Sequence, residues 1–406
     1  MRSFVTRLLL PVMVAVLAAC SDQKSARTEQ PAASPATPPD SATTSPVPAA
    51  KPAAPDTSAT HNVAAYLAGL PVSKASGLRP LTAQPGWQSY AADAAKSWTN
   101  YHATRTTKIE AWARQELDSA RAASPTIFYP FSGPDFLNVT TMFPTSSTYV
   151  LMGLEPVGSV PRQATLANPR LFTALKASLW SVLNFSFFRT NDMAVDLKSV
   201  ELDGALPLMM LFAARTNHQV EAVRYIQLTP EGELAAADTA AIQRPGPKMV
   251  PGVEMILRTP AGQKKTVLYF SADLSDWKLG TTQEAALKYV RSLGPLTTYV
   301  KSATYLMHKT YFSKVRNLVL ERSNYVLQDD SGIAMKYFRP AADWQFTFYG
   351  TYKRPINLFA KHYQPELTTA YADTANPARL LPFGTGYNWR PNESNLLLAH
   401  RTTPVQ

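Results

Sequence analysis

Two acidic side chains stand where a site could form. Asp135 lies in FYPFSGPDFLN (128–138) and Glu155 in GLEPVG (153–158), and each follows or ends a short apolar run, 127–129 and 149–154, that reads as a buried strand. Carboxylates at neighbouring strand ends can divide general-acid and general-base work, as hydrolysis of a glycosidic or similar bond requires. The same stretch is also ordinary turn chemistry. Gly133 gives conformational freedom, Pro134 fixes φ, and Ser132 or Asp135 can cap a short helix opening at Phe136. On the residues alone, both readings stand.

A second candidate is cationic. Between Leu296 and Tyr363 lie ten Lys and Arg against four acids, interleaved with a dense set of tyrosines. Basic groups beside aromatic faces suit a phosphorylated headgroup or an acidic glycan, because the charge attracts and the ring stacks. Arg316, Arg322, Tyr349, Lys353 and Arg354 are the expected ligand-binding residues; the alternative is a solvated basic face over a Tyr-rich core. Other motifs are thin. The six histidines are scattered singly, and there is no Gly-x-Ser-x-Gly elbow, Walker loop or His-Glu-x-x-His. Ser275-Asp276-Trp277-Lys278 fits the Ser-x-x-Lys of penicillin-binding proteins but lacks a Lys-Thr-Gly partner. Asp329-Asp330-Ser331-Gly332 reads as a turn without the alternating ligands of a calcium loop. No cofactor and no metal are implied, and the motifs name no reaction.

These groups sit behind an export leader. Arg2 and Arg7 precede an apolar run, 8–19, too short to span a bilayer, and the run ends at Cys20, the one cysteine of the chain. Leu17-Ala18-Ala19-Cys20 resembles the lipobox of bacterial lipoproteins. The resemblance implies cleavage after residue 19, diacylation of Cys20 and acylation of the new amino terminus. Several acyl chains give stable anchoring where one is marginal. Ser21, in place of an Asp retention signal, implies the outer membrane, on its periplasmic face. Residues 20–60 are Pro-, Ala-, Ser- and Thr-rich and cannot offset their ordering entropy, so they are expected to form a disordered tether. FYPFSGPDFL, YVLMGLEPVG and LQDDSGI also resemble bacterial lipoproteins and secreted proteins that carry no assigned activity. The formal net charge of +11, set in an exported protein, points away from nucleic acid and toward lipopolysaccharide phosphates, anionic lipids, peptidoglycan carboxylates or an envelope protein.

Residues 61–406 are expected to form one α+β domain: a helical amino-terminal part packed with an antiparallel or mixed sheet and further helices, with a possible lobe boundary near 230–250. Trp87, Tyr90, Ala94, Trp98, Tyr101, Ile109 and Trp112 make one stripe and predict a helix over 87–118. NPRLFTALKASLW predicts a helix capped by Asn168, and 204–215 another. Period-two patterning at 220–228, 253–258 and 266–270 predicts antiparallel strands. Helices are expected again at 284–293, 312–323 and 357–371, and strands at 344–352 and 395–399.

Overall fold

The computed structural model describes residues 57–185 and 197–405. The leader, Cys20 and most of the expected tether lie outside the described residues. Ten strands form one mixed sheet, which with its helices makes an α+β fold. Its order is β4-β3-β5-β6-β2-β1-β7-β8-β10-β9, with β1 Thr126–Pro130, β2 Thr148–Gly153, β3 Gln219–Leu228, β4 Leu234–Ala236, β5 Val250–Arg258, β6 Lys264–Ser271, β7 Leu296–Val300, β8 Ser323–Gln328, β9 Trp344–Gly350 and β10 Asn395–Arg401.

The five central strands, β6-β2-β1-β7-β8, are parallel, and antiparallel wings flank them. The composition explains the division. TIFYP, TYVLMG, LTTYV and SNYVLQ are apolar or small on both faces and almost wholly buried, as strands covered on both sides must be. In β3 the burial alternates, which a wing with one wetter face allows. Successive residues feed two cores. Tyr129, Tyr149, Leu151, Tyr269 and Tyr299 pack under the helices Thr57–Leu67, Pro85–Tyr101, Thr107–Glu116, Phe136–Met142 and Leu206–Arg215. Phe128, Val150, Met152, Phe270 and Val300 pack on the other face under Glu284–Ser292, Ser313–Arg322 and Pro365–Tyr371.

From β1 the chain winds outward through β2 to β6, then returns to the far side of β1 as β7. The crevice between β1 and β7 is therefore a topological switch point, the place on such sheets where ligands gather at the carboxyl ends of strands.

Three local expectations change. The 87–118 stripe is buried as expected, but the helix is interrupted by a π-helical turn, His102–Thr106, where the Thr107 hydroxyl bonds the His102 carbonyl at 3.0 Å. Asn168 accepts from the Arg170 N–H at 3.0 Å, and the helix begins at Leu171. Residues 357–371 divide into a 3-10 segment, Asn357–His362, and the helix Pro365–Tyr371, because Pro365 lacks the N–H a continuous helix needs there. The segment 230–250 stays within the same sheet: it carries β4 and a short helix, Thr239–Gln243, capped by Asp238.

Candidate functional site at the carboxyl edge

FYPFSGPDFLN is the loop that leaves β1 at the switch point. Phe131 turns the chain with φ 58°, Ser132 N–H bonds the Met152 carbonyl at 2.9 Å, and Asp135 caps the helix Phe136–Met142. Asp135 Oδ1 accepts from Asn138 N–H at 3.1 Å and from Asn138 Nδ2 at 2.8 Å. Its Oδ2 accepts from the Tyr129 hydroxyl at 3.0 Å and faces Lys301 Nζ at 3.0 Å, with both charged side chains 1 % exposed. Lys301 directly follows β7, so the ion pair bridges the two loops of the switch point. Desolvating two such ions costs several kcal/mol each, and the close pairing with three further hydrogen bonds offsets it.

That saturation bears on the expected acid–base pair. Asp135 turns toward Lys301 on the β7 side of β1. Glu155 follows β2 on the other side, half-buried, its carboxylate about where a Cβ on Gly133 would reach (3.1 Å to Oε1), with the Tyr269 hydroxyl on its carbonyl at 2.7 Å. Asp135 has both oxygens engaged by four donors and so has none free to offer a substrate.

Beyond Lys301 the backbone is strained. Ser302, Thr304 and Tyr305 all have φ 53°, a left-handed conformation costly to residues with a Cβ, held here by neighbouring contacts. Ser302 N–H bonds Asp329 Oδ2 at 2.9 Å, Ala303 N–H bonds Ser331 Oγ at 2.8 Å, and the Tyr305 hydroxyl bonds Asp330 Oδ2 at 2.5 Å. Asp330 Oδ1 accepts from Asn395 Nδ2 at 3.1 Å. Burial raises the pKa of Asp329, and burial together with Asp329 pushes Asp330 up to about 7. Burial, with His362 and Lys336 beside it, holds His308 down to about 3. Tyr305 is stacked on His362 at 5.0 Å and covered by Phe359 at 4.9 Å. The void beside the acid pair is about 10 Å³, room for about one water. The turn expected at 329–332 is present, closed by Gly332 N–H to the Asp329 carbonyl at 3.1 Å, but it is a buried polar core. Among the described residues no three His, Cys, Asp or Glu side chains are grouped to hold a metal ion.

Gly386 seals this core. Its φ is +69°, and a Cβ there would lie 2.3 Å from Asp329 Oδ2. Gly386→Ala should therefore lose about 2 kcal/mol or more of stability through backbone strain and overpacking, read as a lower urea midpoint. An unchanged midpoint would mean the loop 384–390 does not bear on the acid pair.

The expected cationic ligand residues do not come together. Arg316 is 7 % exposed, donates to the carbonyls of Met307 at 2.8 Å and Lys309 at 3.1 Å, and stacks on Tyr337 at 3.7 Å. Tyr349 is buried in the opposite core, its hydroxyl on Glu116 Oε2 at 3.1 Å. Arg322 ends its helix at the amino edge of β8, whereas Lys353 and Arg354 are exposed in the loop after β9.

A different basic and aromatic group occupies the carboxyl edge. Trp277 is 67 % exposed with Lys278 Nζ 4.6 Å from its ring centre, and Tyr311 is 55 % exposed with Lys309 Nζ at 5.6 Å. Asp276 fastens the two segments together by accepting from Ser313 N–H at 3.0 Å, Ser313 Oγ at 2.6 Å and Lys314 N–H at 2.7 Å. Lys361 and Lys309 both depress His362, after burial, so the rim continues to the 3-10 segment, where Leu358 is 78 % exposed. In Ser275-Asp276-Trp277-Lys278, Ser275 N–H bonds Asp273 Oδ1 at 2.9 Å and no bond joins Ser275 to Lys278.

Sequence reasoning saw Tyr305 only as one of the tyrosines of the basic stretch and missed His308 and His362, and no local signal marks their grouping: the histidines are isolated and SATY contains no glycine. Trp277, Lys278 and Lys309 were visible as residue types, though nothing in the order of residues shows which cations share a face. Comparison with protein-family models, with curated proteins and with solved structures finds no match to this chain. What the fold and site define is a mixed-sheet α+β protein with a closed switch point and a basic, aromatic rim.

Proposed function

We propose that the protein is an envelope lipoprotein, tethered through Cys20 to the periplasmic face of the outer membrane, that lays its carboxyl-edge rim on a phosphate-bearing amphiphile surface. The observation that carries this reading is the pairing of exposed aromatic rings with lysines at Trp277–Lys278 and Tyr311–Lys309, beside Lys314. Amphipathic rings settle at a headgroup level, each nearby Lys contributes about 1 kcal/mol at an anionic surface, and solvent-exposed aromatics in one patch are otherwise costly. Among the described residues no helix is long and apolar enough to cross a membrane, so contact with the bilayer by this part rests on such a surface patch or on the anchor. A tether of about forty residues gives ample reach.

The full chain carrying Cys20→Ser, which cannot be acylated there, isolates the rim from the anchor. It should sediment with phosphatidylethanolamine/phosphatidylglycerol vesicles at low salt, less with phosphatidylcholine, and release as the Debye length shortens toward about 3 Å at 1 M salt. Lys278→Glu with Lys309→Glu should weaken retention about tenfold or more, from about 1 kcal/mol per lysine. A parallel arm with lipopolysaccharide separates headgroup phosphates of the two sources. Retention on peptidoglycan alone would replace the reading with a cell-wall one, and no retention on any of the three would remove it. The tether has its own check: mass spectrometry of the detergent-extracted protein should find an acylated Cys20, and an unmodified thiol would sink it.

A further inference from the structure

At the opposite end of the central strands, on the first face of the sheet, lies a cavity of about 520 Å³ that the rim does not use. Its walls come from the helix Pro85–Tyr101 and the π-turn after it, the helix Phe136–Met142, the end of Leu206–Arg215 and the start of β6. That volume is in the range of small-molecule sites.

The electrostatics of the cavity are unbalanced. Arg215 Nε and Nη2 are buried and have no hydrogen-bond partner, and among the described residues no carboxylate pairs with this guanidinium. The guanidinium lies over the Trp98 ring, its carbon 5.5 Å from the ring centre. Burial lowers its pKa to about 10, which leaves it charged at neutral pH. The other cavity-lining groups do not neutralise it. Lys265 spends its three N–H bonds on the carbonyls of Pro144 at 2.5 Å and Ser146 at 2.6 Å and on the Tyr149 hydroxyl at 3.2 Å. His218, its Nδ1 on Thr216 Oγ1 at 2.9 Å, is held neutral by burial and by Lys265. Glu110 lines the cavity without reaching Arg215.

A cation at the carboxyl end of a helix gains from the helix dipole, which is the purely structural reason for an Arg at this position. That reason does not satisfy the two buried nitrogens, which carry three N–H groups between them and cost free energy until an acceptor arrives. An oxyanion is the missing partner, and Trp98, Leu137 and Pro144 in the wall give the rest of the molecule an apolar surface.

We propose that this cavity binds a small organic acid, its carboxylate seated on Arg215 and its flat apolar body against Trp98, Leu137 and Pro144. The site is independent of the rim and of the anchor. The test uses the full chain with two probes, benzoate for the carboxylate on a flat body and inorganic phosphate for an oxyanion without one, followed by calorimetry and tryptophan fluorescence. Benzoate should bind saturably at one per chain and more tightly than phosphate. Arg215→Gln should weaken it about tenfold or more, the loss expected for one charge-assisted hydrogen bond, with an unchanged melting temperature because no partner group is left unpaired. Ala95→Trp, at an exposed helix position lining the cavity, should block benzoate while the fold is kept. The proposal is overturned if neither probe binds saturably, if phosphate binds as tightly as benzoate, or if Arg215→Gln leaves binding intact. A melting temperature several degrees lower in Arg215→Gln would assign the guanidinium to structure and overturn it as well.

Discussion

Lys301→Met should remove about 3–5 kcal/mol of stability, because it strands the Asp135 carboxylate as an unpaired buried charge. The size follows from geometry. Asp135 and Lys301 are both almost wholly shielded from water at 3.0 Å, and Lys301 also bears on the buried Asp329. The methionine retains most of the volume, so the loss is electrostatic and little of it is cavity. A second substitution separates the charge from the packing. Asp135→Asn in the Lys301→Met background keeps an acceptor for Asn138, turns an NH2 donor toward the Tyr129 hydroxyl, which can accept, and removes the stranded charge, so the double variant should recover much of what the single one lost. Urea unfolding of the four proteins gives the cycle. A loss under about 1 kcal/mol for Lys301→Met, a value typical of exposed pairs, would show that water reaches the pair.

Asp330→Asn should stabilise the protein at alkaline pH and change it little in acid. An acid whose folded pKa is about 7, against about 3.9 unfolded, holds extra protons in the folded state between those values. Stability contributed by this group is therefore full below about pH 4 and falls as pH rises through about 7. Asparagine mimics the protonated form at every pH, so the variant should gain on wild type over that window, by up to about 4 kcal/mol at pH 8. Asp329 and Asp330 titrate as a pair, which spreads the change over a wider range without reversing its sign. His308 and His218 act oppositely: held near 3 and about 4, they cost stability as pH falls below about 6.5. Both proteins share that cost, so it cancels in the difference. Denaturant midpoints at pH 5, 6, 7 and 8 measure it, and a difference that is flat with pH would show that Asp330 is ionised throughout.

How much of this was legible before the structure depends on the range over which each signal acts. Local patterns carried well: the aromatic stripe of Tyr90, Trp98, Tyr101 and Trp112 is buried, the period-two runs are β3, β5 and β6, and the turn at SGPD ends in a helix cap. Asp135 stood out in the sequence, yet what decides its role is Lys301, and nothing local links them. The parallel centre was equally hidden, because β1 pairs with β7 through a partner far downstream. Tyr349 shows a subtler failure. It falls with Gln345 and Thr347 in the more polar half of β9, where Gln345 is exposed, yet Tyr349 is buried against Trp112 with ring centres 4.9 Å apart, a contact that alternation along the strand does not reveal. Counting cations between 296 and 363 found a real excess, while Arg316 and Tyr349 belong to opposite faces of the sheet, a fact that only the three-dimensional winding fixes. The left-handed residues 302, 304 and 305 left no trace because strain imposed by tertiary contacts needs no glycine.

The position of β7 also governs the order in which this polypeptide can fold. The Thr297 hydroxyl reaches back to the Ala120 carbonyl across 177 positions, and until the segment Leu296–Val300 arrives β1 has a neighbour on one side only. A growing chain that stops short of it presents a row of unmatched amides along a flat apolar ribbon, the template on which misassembly starts. Completion of the central ladder is thus a late, long-range event, and the first half of the molecule waits on the second for the neighbour of β1.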